Sequence, residues 1–302
     1  MYLNYYQLTA RPFKLTPDIR FFFRSQCQEK ALAYLLYGIE QGEGFVVITG
    51  GVGHGKTTLI QRLSREVKSQ RVEVTRIAAA NLDAESILEL VCVSLDIPID
   101  GKSRVGLFKA LEDFLLKRKS KNIRVLLVID EAQTLTAEAL EELRILTNIE
   151  EGGKAALQIF LVGQIELRQT LLLPKFEHLR QRIIASYHIE PFTRAETEKY
   201  IKTRLTEVGW KNDPNIHPIV YDFIQEWTGG VPRRINLLMD RLLLLGYVEE
   251  KHELGDKEIE QAIRDMEKEL GHQNPKKRGK ITNVTVANKL NKKNKRKRTA
   301  SR

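Results

Sequence analysis

Cysteine is scarce in this chain of 302 residues, where it occurs only as Cys27 and Cys92. Two isolated thiols exclude a disulfide framework, and Cys92 lies among apolar residues at helical spacing, which predicts a buried small hydrophobe. Long apolar runs are missing too, since no stretch approaches the roughly eighteen residues that a membrane-spanning helix needs. The first residues lack a basic region followed by an apolar segment, the pattern of a secretion signal. We therefore expect a soluble protein in a reducing, cytoplasmic compartment.

Acidic residues are absent from residues 271–302, a tail that holds twelve Lys or Arg. The whole chain has a formal net charge of +10, so the remaining residues carry 37 basic and 39 acidic side chains, a balance of −2. The basic character therefore belongs to the tail, and the body is not expected to present a surface coated for nucleic acid. A hydrophobic fraction of 42% supplies enough core for one or two domains.

The tail has its highest charge density at residues 292–298, where six of seven side chains are basic. Such a segment has too little apolar surface to fold, so we expect disorder over residues 271–302. Three roles stay open: a solvated tail with no partner, contact with an anionic membrane surface, or neutralisation of nucleic-acid phosphates. No aromatic residue stands among the basic ones, so any nucleic-acid contact is expected to be independent of base sequence.

Residues 50–57 match the phosphate-binding pattern G-x-x-x-x-G-K-[ST]. Glycines let such a loop fold without Cβ clashes and aim its backbone N–H groups at phosphate oxygens. An apolar run at residues 45–48 predicts a buried parallel strand before the loop, and apolar residues at helical spacing predict a helix after it. The predicted nucleotide-binding residues of this segment are Gly50, Gly51, Val52, Gly53, His54, Gly55, Lys56, Thr57 and Thr58.

Two carboxylates follow the strand predicted at residues 125–129, which is apolar on both faces. We expect Asp130 to bind the nucleotide's Mg²⁺ together with the Thr57 hydroxyl, and Glu131 to polarise the attacking water. Another predicted strand, at residues 157–163, is followed by Gln164. Its amide is expected either to orient that water or to form a hydrogen bond at a helix start.

Two pairs of arginines are further candidates for phosphate contacts. Arg180 and Arg182 precede a predicted strand and suit an arginine finger acting in cis or from a neighbouring subunit; in a helix, at most one of them reaches a given phosphate. Arg233 and Arg234 fall in the first turn of another predicted helix, where they oppose its dipole. At least one is therefore expected to have an anionic partner, either a nucleotide phosphate or carboxylates elsewhere.

These motifs, at residues 50–57, 130–131, 180–182 and 229–236, resemble those of the AAA+ ATPases. Further segments, among them residues 1–3, 11–18, 42–45, 130–133 and 161–164, look like the ExeA/GspA-type secretion ATPases. Within that group, residues 30–34, 229–236 and 241–244 are most similar to the ATPase found at exosortase (XrtA)/PEP-CTERM exopolysaccharide loci. The resemblance covers roughly residues 1 to 270.

The resemblance implies an α/β P-loop NTPase, with an ASCE-type parallel sheet flanked by helices and a C-terminal all-helical lid. We expect the ATPase core with its N-terminal helix at residues 1–191, the lid at 192–270 and the tail at 271–302. The resemblance also implies ATP and Mg²⁺ as ligands and a homo-oligomeric ring or filament. By family role, Asp130 and Glu131 form Walker B, Gln164 is sensor 1 and Arg233 is sensor 2. His54 departs from the small residue usual at its position.

The leading functional hypothesis is an ATPase that couples hydrolysis to assembly or regulation of an envelope secretion or exopolysaccharide export system, with an envelope partner protein. It would work on the cytoplasmic side, and lipid contact by the tail would place it at the inner face of the cell membrane. One alternative is a DNA-binding transposition regulator that forms filaments on DNA, for which the tail would be suited. Another is a nucleotide-gated scaffold with little turnover, which the intact Glu131 opposes.

Overall fold

The computed structural model of the protein describes residues 1–16, 23–67 and 71–270. The predicted disordered tail at residues 271–302 lies outside the described residues, as do Pro17 and Asp18 of the N-terminal motif. The strands are β1 Phe45–Gly50, β2 Val72–Ala78, β3 Arg124–Asp130, β4 Glu150–Glu151, β5 Lys154–Ala155, β6 Leu157–Gly163, β7 Ile183–Ile189, β8 Asn215–Ile216 and β9 Glu253–Leu254. The helices are α1 Tyr2–Tyr5, α2 Gln26–Gln41, α3 Lys56–Glu66, α4 Ala84–Ser94, α5 Arg104–Ser120, α6 Ala137–Leu146, α7 Ile165–Leu171, α8 Glu177–Arg180, α9 Arg194–Thr206, α10 Pro218–Thr228, α11 Pro232–Val248 and α12 Asp256–Leu270.

A five-stranded parallel sheet with the order β2-β3-β6-β1-β7 forms the centre of the larger unit. The inner strands β1 and β6 are buried along their whole length, as expected where helices cover both faces. Because β3, β6 and β1 are adjacent and parallel, their carboxyl ends lie at one edge. The phosphate-binding loop, the two carboxylates and Gln164 follow these three strands. The predicted parallel sheet is therefore confirmed, and its order brings three separate motifs together.

Alternate residues of the inner strands pack into two separate hydrophobic layers, because successive side chains point to opposite faces of the sheet. In β1, Val46 and Ile48 pack with α2 and α3, whereas Phe45 and Val47 pack with the layer that contains α4, α5 and α6. The predicted helices that contain Leu59 and Cys92 are both present, and both residues are fully buried. Hydrophobic alternation and helical spacing thus account for the core of this unit.

A third hydrophobic cluster joins α9, α10, α11 and α12 and forms the lid. It also contains Tyr2, Tyr6 and Phe13, so the N-terminal residues pack with the lid, although the sequence predicts them with the sheet. Polar contacts support this packing: the Tyr2 hydroxyl donates to Asp240 Oδ1 at 2.6 Å, and the Tyr6 hydroxyl donates to the carbonyl oxygen of Lys251 at 2.9 Å. The N-terminal segment and the lid are therefore one packing unit.

Two details of the predicted elements need correction. The lid is not all helical, because β8 and β9 pair in parallel inside it, two residues from each strand. The segment Ser25-Gln26-Cys27-Gln28 has the sequence pattern of a capping box and predicts one at the start of α2. Ser25 does accept from the backbone N–H of Gln28, but the reciprocal bond is missing. The Ser25 N–H donates instead to Phe23, and the Gln28 amide lies beside Gly55. By contrast, the same pattern in Thr193-Arg194-Ala195-Glu196 predicts a capping box at the start of α9, and that box is complete.

No helix within the described residues combines the length and the apolar character required to cross a bilayer.

Candidate nucleotide-binding site

The phosphate-binding loop connects β1 to α3 along one wall of a cleft between the sheet and the lid. Gly53 and Gly55 have φ angles of +82° and +89°, a left-handed conformation that other residues rarely adopt. Helix α3 begins without a side-chain cap, so the N–H groups of its first turn are left for another acceptor. An uncapped helix start in a cleft is a suitable site for phosphate oxygens.

Lys56 supplies the positive charge of this loop and is 7% exposed. Its Nζ donates to the carbonyl oxygens of Gly50 and Gly51, at 2.8 and 3.1 Å. Burial lowers the pKa of Lys56, while the nearby carboxylates of Glu131 and Asp130 oppose that shift. The ammonium group is thus held within the loop and beside the two acidic residues that follow β3.

The predicted loop residues divide into two groups. The cleft is lined by Val52, Gly53, Gly55, Lys56, Thr57 and Thr58. Gly50, Gly51 and His54 also belong to the loop but are outside this lining. The His54 Nδ1 lies 2.9 Å from the carbonyl oxygen of Ile189, the last residue of β7, and 3.1 Å from the backbone nitrogen of Gly51. Burial lowers the pKa of His54, which favours the neutral imidazole.

Thr57 and Asp130 meet at the sheet edge, where the Thr57 Oγ1 donates to Asp130 Oδ2 at 3.4 Å. A hydroxyl and a carboxylate are hard oxygen ligands of the kind that Mg²⁺ prefers, so the two residues fit that ion. No group of three or more His, Cys, Asp or Glu with metal-binding geometry occurs within residues 1–16, 23–67 and 71–270. Arg76, which sequence reasoning missed, forms an ion pair with the same Asp130 oxygen.

Glu131 has a strained backbone, with φ 56° and ψ 33°, which is unusual for a residue with a side chain. Its Oε2 accepts hydrogen bonds from the amides of Gln133, at 2.6 Å, and Gln164, at 3.3 Å. The Gln133 Oε1 in turn accepts from the backbone N–H of Gln164, at 2.9 Å. These two amide donors fix the direction of the Glu131 carboxylate. Gln164 begins α7, but its side chain does not cap that helix.

The sequence alone predicts no role for Gln133, although this residue stands in the Asp-Glu-Ala-Gln segment that carries the family resemblance. It lies in a 3₁₀ turn after β3 and connects that strand's end to the end of β6. The available signal was its spacing, two residues after Glu131. Spacing alone does not reveal that a side chain bridges two strands.

The predicted finger arginines lie away from this cleft, because they precede β7 at the amino edge of the sheet. The Arg180 Nη1 donates to the carbonyl oxygens of Leu171 and Leu173, each at 2.8 Å. The Arg182 Nη1 donates to Thr147 Oγ1 at 3.0 Å. The structure therefore does not bring either guanidinium to the phosphate-binding loop of its own chain.

Arg233 is brought to the cleft by the lid. Its backbone N–H donates to the carbonyl oxygen of Gly53 at 3.3 Å, and a Cβ on Gly53 would lie 2.6 Å from the Arg233 Cβ. The Arg233 side chain is exposed and lines the cleft, where an anion can reach its guanidinium. Gly53 therefore permits a close contact between the loop and the first turn of α11.

The far end of the cleft has an aromatic and polar lining that sequence reasoning also missed. The rings of Phe23, Phe192 and Tyr200 pack together, with centroids 5.2 to 5.6 Å apart. The Tyr200 hydroxyl donates to Asn236 Oδ1 at 2.8 Å, and the Asn236 amide donates to the Lys14 carbonyl oxygen at 3.2 Å. The cleft thus combines the charged groups of the loop and of Arg233 with an aromatic cluster.

Comparisons with known proteins agree with this geometry. The AAA domain family matches residues 39–171. General secretion pathway protein A of Aeromonas hydrophila is 34% identical over 255 residues, which amount to 84% of this chain and 46% of that protein. The chain therefore spans about half the length of this curated relative.

Several solved structures share the fold. Aeropyrum pernix ORC2, in ADPNP and ADP complexes, aligns with a TM-score of 0.59 and 20% identity over 80% of this chain and 68% of its own. Cdc6p from Pyrobaculum aerophilum gives a TM-score of 0.65 at 16% identity, covering 83% of this chain and 70% of its own. The RuvB Holliday junction branch migration motor of Thermotoga maritima gives 0.56 at 18% identity, covering 81% and 70%.

At such low identities these likenesses show the fold alone. The curated relative adds similarity in sequence, and it extends over the sheet, the loop and the lid together. The fold, the AAA domain match and the likeness to general secretion pathway protein A place this chain among the AAA+ P-loop ATPases, in their ExeA/GspA-like group.

Proposed function

We propose that this chain binds ATP with Mg²⁺ in the cleft between sheet and lid and hydrolyses the terminal phosphate. The observation that carries the proposal is the convergence of three groups at one edge of the sheet. These are the Lys56 ammonium at the uncapped start of α3, the paired oxygens of Thr57 and Asp130, and the oriented carboxylate of Glu131. Each provides one requirement of phosphoryl transfer to water.

The phosphate chain would be held by the N–H groups at the start of α3 and by the Lys56 ammonium. On nucleotide binding, Lys56 would exchange its hydrogen bonds to the Gly50 and Gly51 carbonyl oxygens for bonds to phosphate oxygens. Thr57 and Asp130 would hold Mg²⁺, which supplies positive charge to the phosphates when bound. Glu131 accepts the proton of the attacking water, and the amides of Gln133 and Gln164 keep its carboxylate in one orientation.

The lid provides a way to sense the bound nucleotide. Arg233 is exposed in the cleft beside Gly53, so its guanidinium is placed to contact a phosphate once one is present. Because Arg180 and Arg182 lie at the opposite edge of the sheet, their contribution would be to the site of a neighbouring copy. A homo-oligomeric ring or filament would therefore complete each site.

The proposed cellular role is supported by the curated relative. Its name, general secretion pathway protein A, supports a role in assembly or regulation of an envelope secretion system through a partner protein. Exopolysaccharide export at an exosortase locus is the narrower version of this proposal. We place the chain on the cytoplasmic side, at the inner membrane face if the basic tail contacts anionic lipid. The DNA-filament alternative is not favoured, since the relative similar in sequence is a secretion protein.

Purified chain incubated with ATP and Mg²⁺ tests the activity. We expect ADP and phosphate in equal amounts, and Lys56→Ala should lose detectable nucleotide binding because the buried positive charge at the phosphates is gone. The exposed Lys109→Ala, on α5, is the matched control and should behave as wild type. Wild-type chain that binds no nucleotide would contradict the proposal. Hydrolysis that DNA stimulates with a steep dependence on salt would favour the alternative role.

A further inference from the structure

Arg76 stands on the edge strand β2 and reaches the Walker B carboxylate of the neighbouring strand. In the register of β2 and β3, Arg76 pairs with Val128, so its side chain lies on the same sheet face as Asp130. Its Nη2 forms an ion pair with Asp130 Oδ2 and lies 3.4 Å from Thr57 Oγ1. The guanidinium therefore contacts both of the oxygens assigned above to Mg²⁺.

A guanidinium and a divalent cation compete at this position. Both are positive and repel each other, and Arg76 already bonds to Oδ2, the Asp130 oxygen that also accepts from Thr57 Oγ1. The Asp130 side chain is 11% exposed, so a carboxylate without a cation there would be costly. Arg76 removes that cost by acting as a counter-ion within the protein.

The geometry also allows the Arg76 guanidinium to move away from Asp130. Its side chain is 36% exposed, and β2 is one of the two edge strands of the five-stranded sheet. The guanidinium can therefore turn from Asp130 into solvent without passing through the core. Its long apolar stem allows such a movement with no change in the backbone.

We propose that Arg76 is an internal counter-ion that holds Asp130 ready for the metal and is displaced when Mg²⁺ binds. The inference rests on the proposed function, because it assumes that Thr57 and Asp130 receive a nucleotide-bound metal. Arg76 acts through Asp130 and is a positioning residue. Before metal binds, the Arg76 guanidinium would balance the charge of the Asp130 carboxylate. The site would therefore bind metal less tightly than a carboxylate without such a counter-ion.

Mn²⁺ binding in the presence of ADP tests this without turnover. Free Mn²⁺, followed by electron paramagnetic resonance, should show about three- to tenfold tighter binding to Arg76→Met than to wild type, the range of a partly exposed ion pair. Arg62→Met is the matched control, because it removes one arginine from α3, where Arg62 pairs with Glu66. We expect it to stay within about twofold of wild type. Unchanged or weaker Mn²⁺ binding in Arg76→Met would overturn the inference.

A second measurement uses the wild-type chain and does not depend on the folding of a variant. Phenylglyoxal labelling of Arg76, read by mass spectrometry, should be faster with ADP and Mn²⁺ than with ADP alone, since displacement exposes the guanidinium. Equal or slower labelling would overturn the inference while leaving nucleotide binding intact. If wild type binds no ADP with or without Mn²⁺, the proposed function fails and the inference fails with it.

Discussion

The two walls of the cleft, one formed by the sheet and one by the lid, differ in where their side chains lie in the sequence. The groups of the sheet wall come from short segments that directly follow buried strands, such as Lys56 and Glu131. Those of the lid wall come from positions far apart in the chain, as the Tyr200, Asn236 and Lys14 contacts show. Chemistry is thus concentrated in contiguous motifs, whereas closure depends on long-range packing.

This difference indicates which parts move together. The Asn236 amide bonds to Lys14, and Tyr6 lies in the lid cluster, so the N-terminal segment is attached to the lid. Among the described residues, one backbone hydrogen bond joins the lid directly to the loop, from the Arg233 N–H to the Gly53 carbonyl oxygen. The lid and the N-terminal segment should therefore shift as one body relative to the sheet when nucleotide binds.

Tyr6→Ala is expected to have the largest effect on stability. Tyr6 is 2% exposed within the lid cluster, so its removal leaves a large cavity and costs about 3–5 kcal/mol of unfolding free energy. Urea unfolding measures this cost. Tyr6→Phe is the control, since it keeps the ring and loses the bond to Lys251, for about 1 kcal/mol. A loss below about 1 kcal/mol in Tyr6→Ala would mean that the N-terminus is not part of the lid core.

Arg233→Ala should affect binding and leave stability unchanged, which separates closure from folding. Losing a charged contact to phosphate should weaken ADP affinity about ten- to hundredfold, because hydrogen bonds to charged groups contribute about 1.5–3 kcal/mol. A titration with fluorescent ADP measures the change. Its neighbour Arg234, also exposed, supplies the matched control Arg234→Ala, which is expected to bind normally. Equal losses in the two variants would remove the special role of Arg233.

His54→Asn is expected to have the smallest effect, visible only through pH. Burial lowers the folded-state pKa of His54, so the unfolded chain takes up the proton first as pH falls. Wild type should therefore lose stability as pH falls below about 6.5, the ordinary histidine value. Melting temperatures from pH 8 to 5 should fall less steeply in His54→Asn. The exposed His178→Asn is the control, and a slope matching wild type in His54→Asn would show that this ring is not the titrating group.

Sequence reasoning recovered the sheet wall because hydrophobic runs and glycine spacing are local signals. The strand before Gly50 and the helix after Lys56 both form where predicted. It missed Arg76 and Gln133, because their roles depend on which strands are neighbours, and strand order is a long-range property.

The lid shows the same limit in another form. The helices were readable from their apolar stripes, but nothing local indicates that Tyr2 and Phe13 complete their core. His54 is a further example, since its partner Ile189 belongs to the other end of the sheet domain's sequence. The structure supplies the reason for this histidine, which sequence spacing did not.

The most direct test of the account is Glu131→Gln, measured for ADP binding and for single-turnover ATP hydrolysis. The amide has nearly the same shape but accepts no proton, so binding should stay within about twofold of wild type while hydrolysis falls by about 10²-fold or more. Hydrolysis at the wild-type rate in Glu131→Gln would contradict the account, because the group assigned to activate water would then be dispensable.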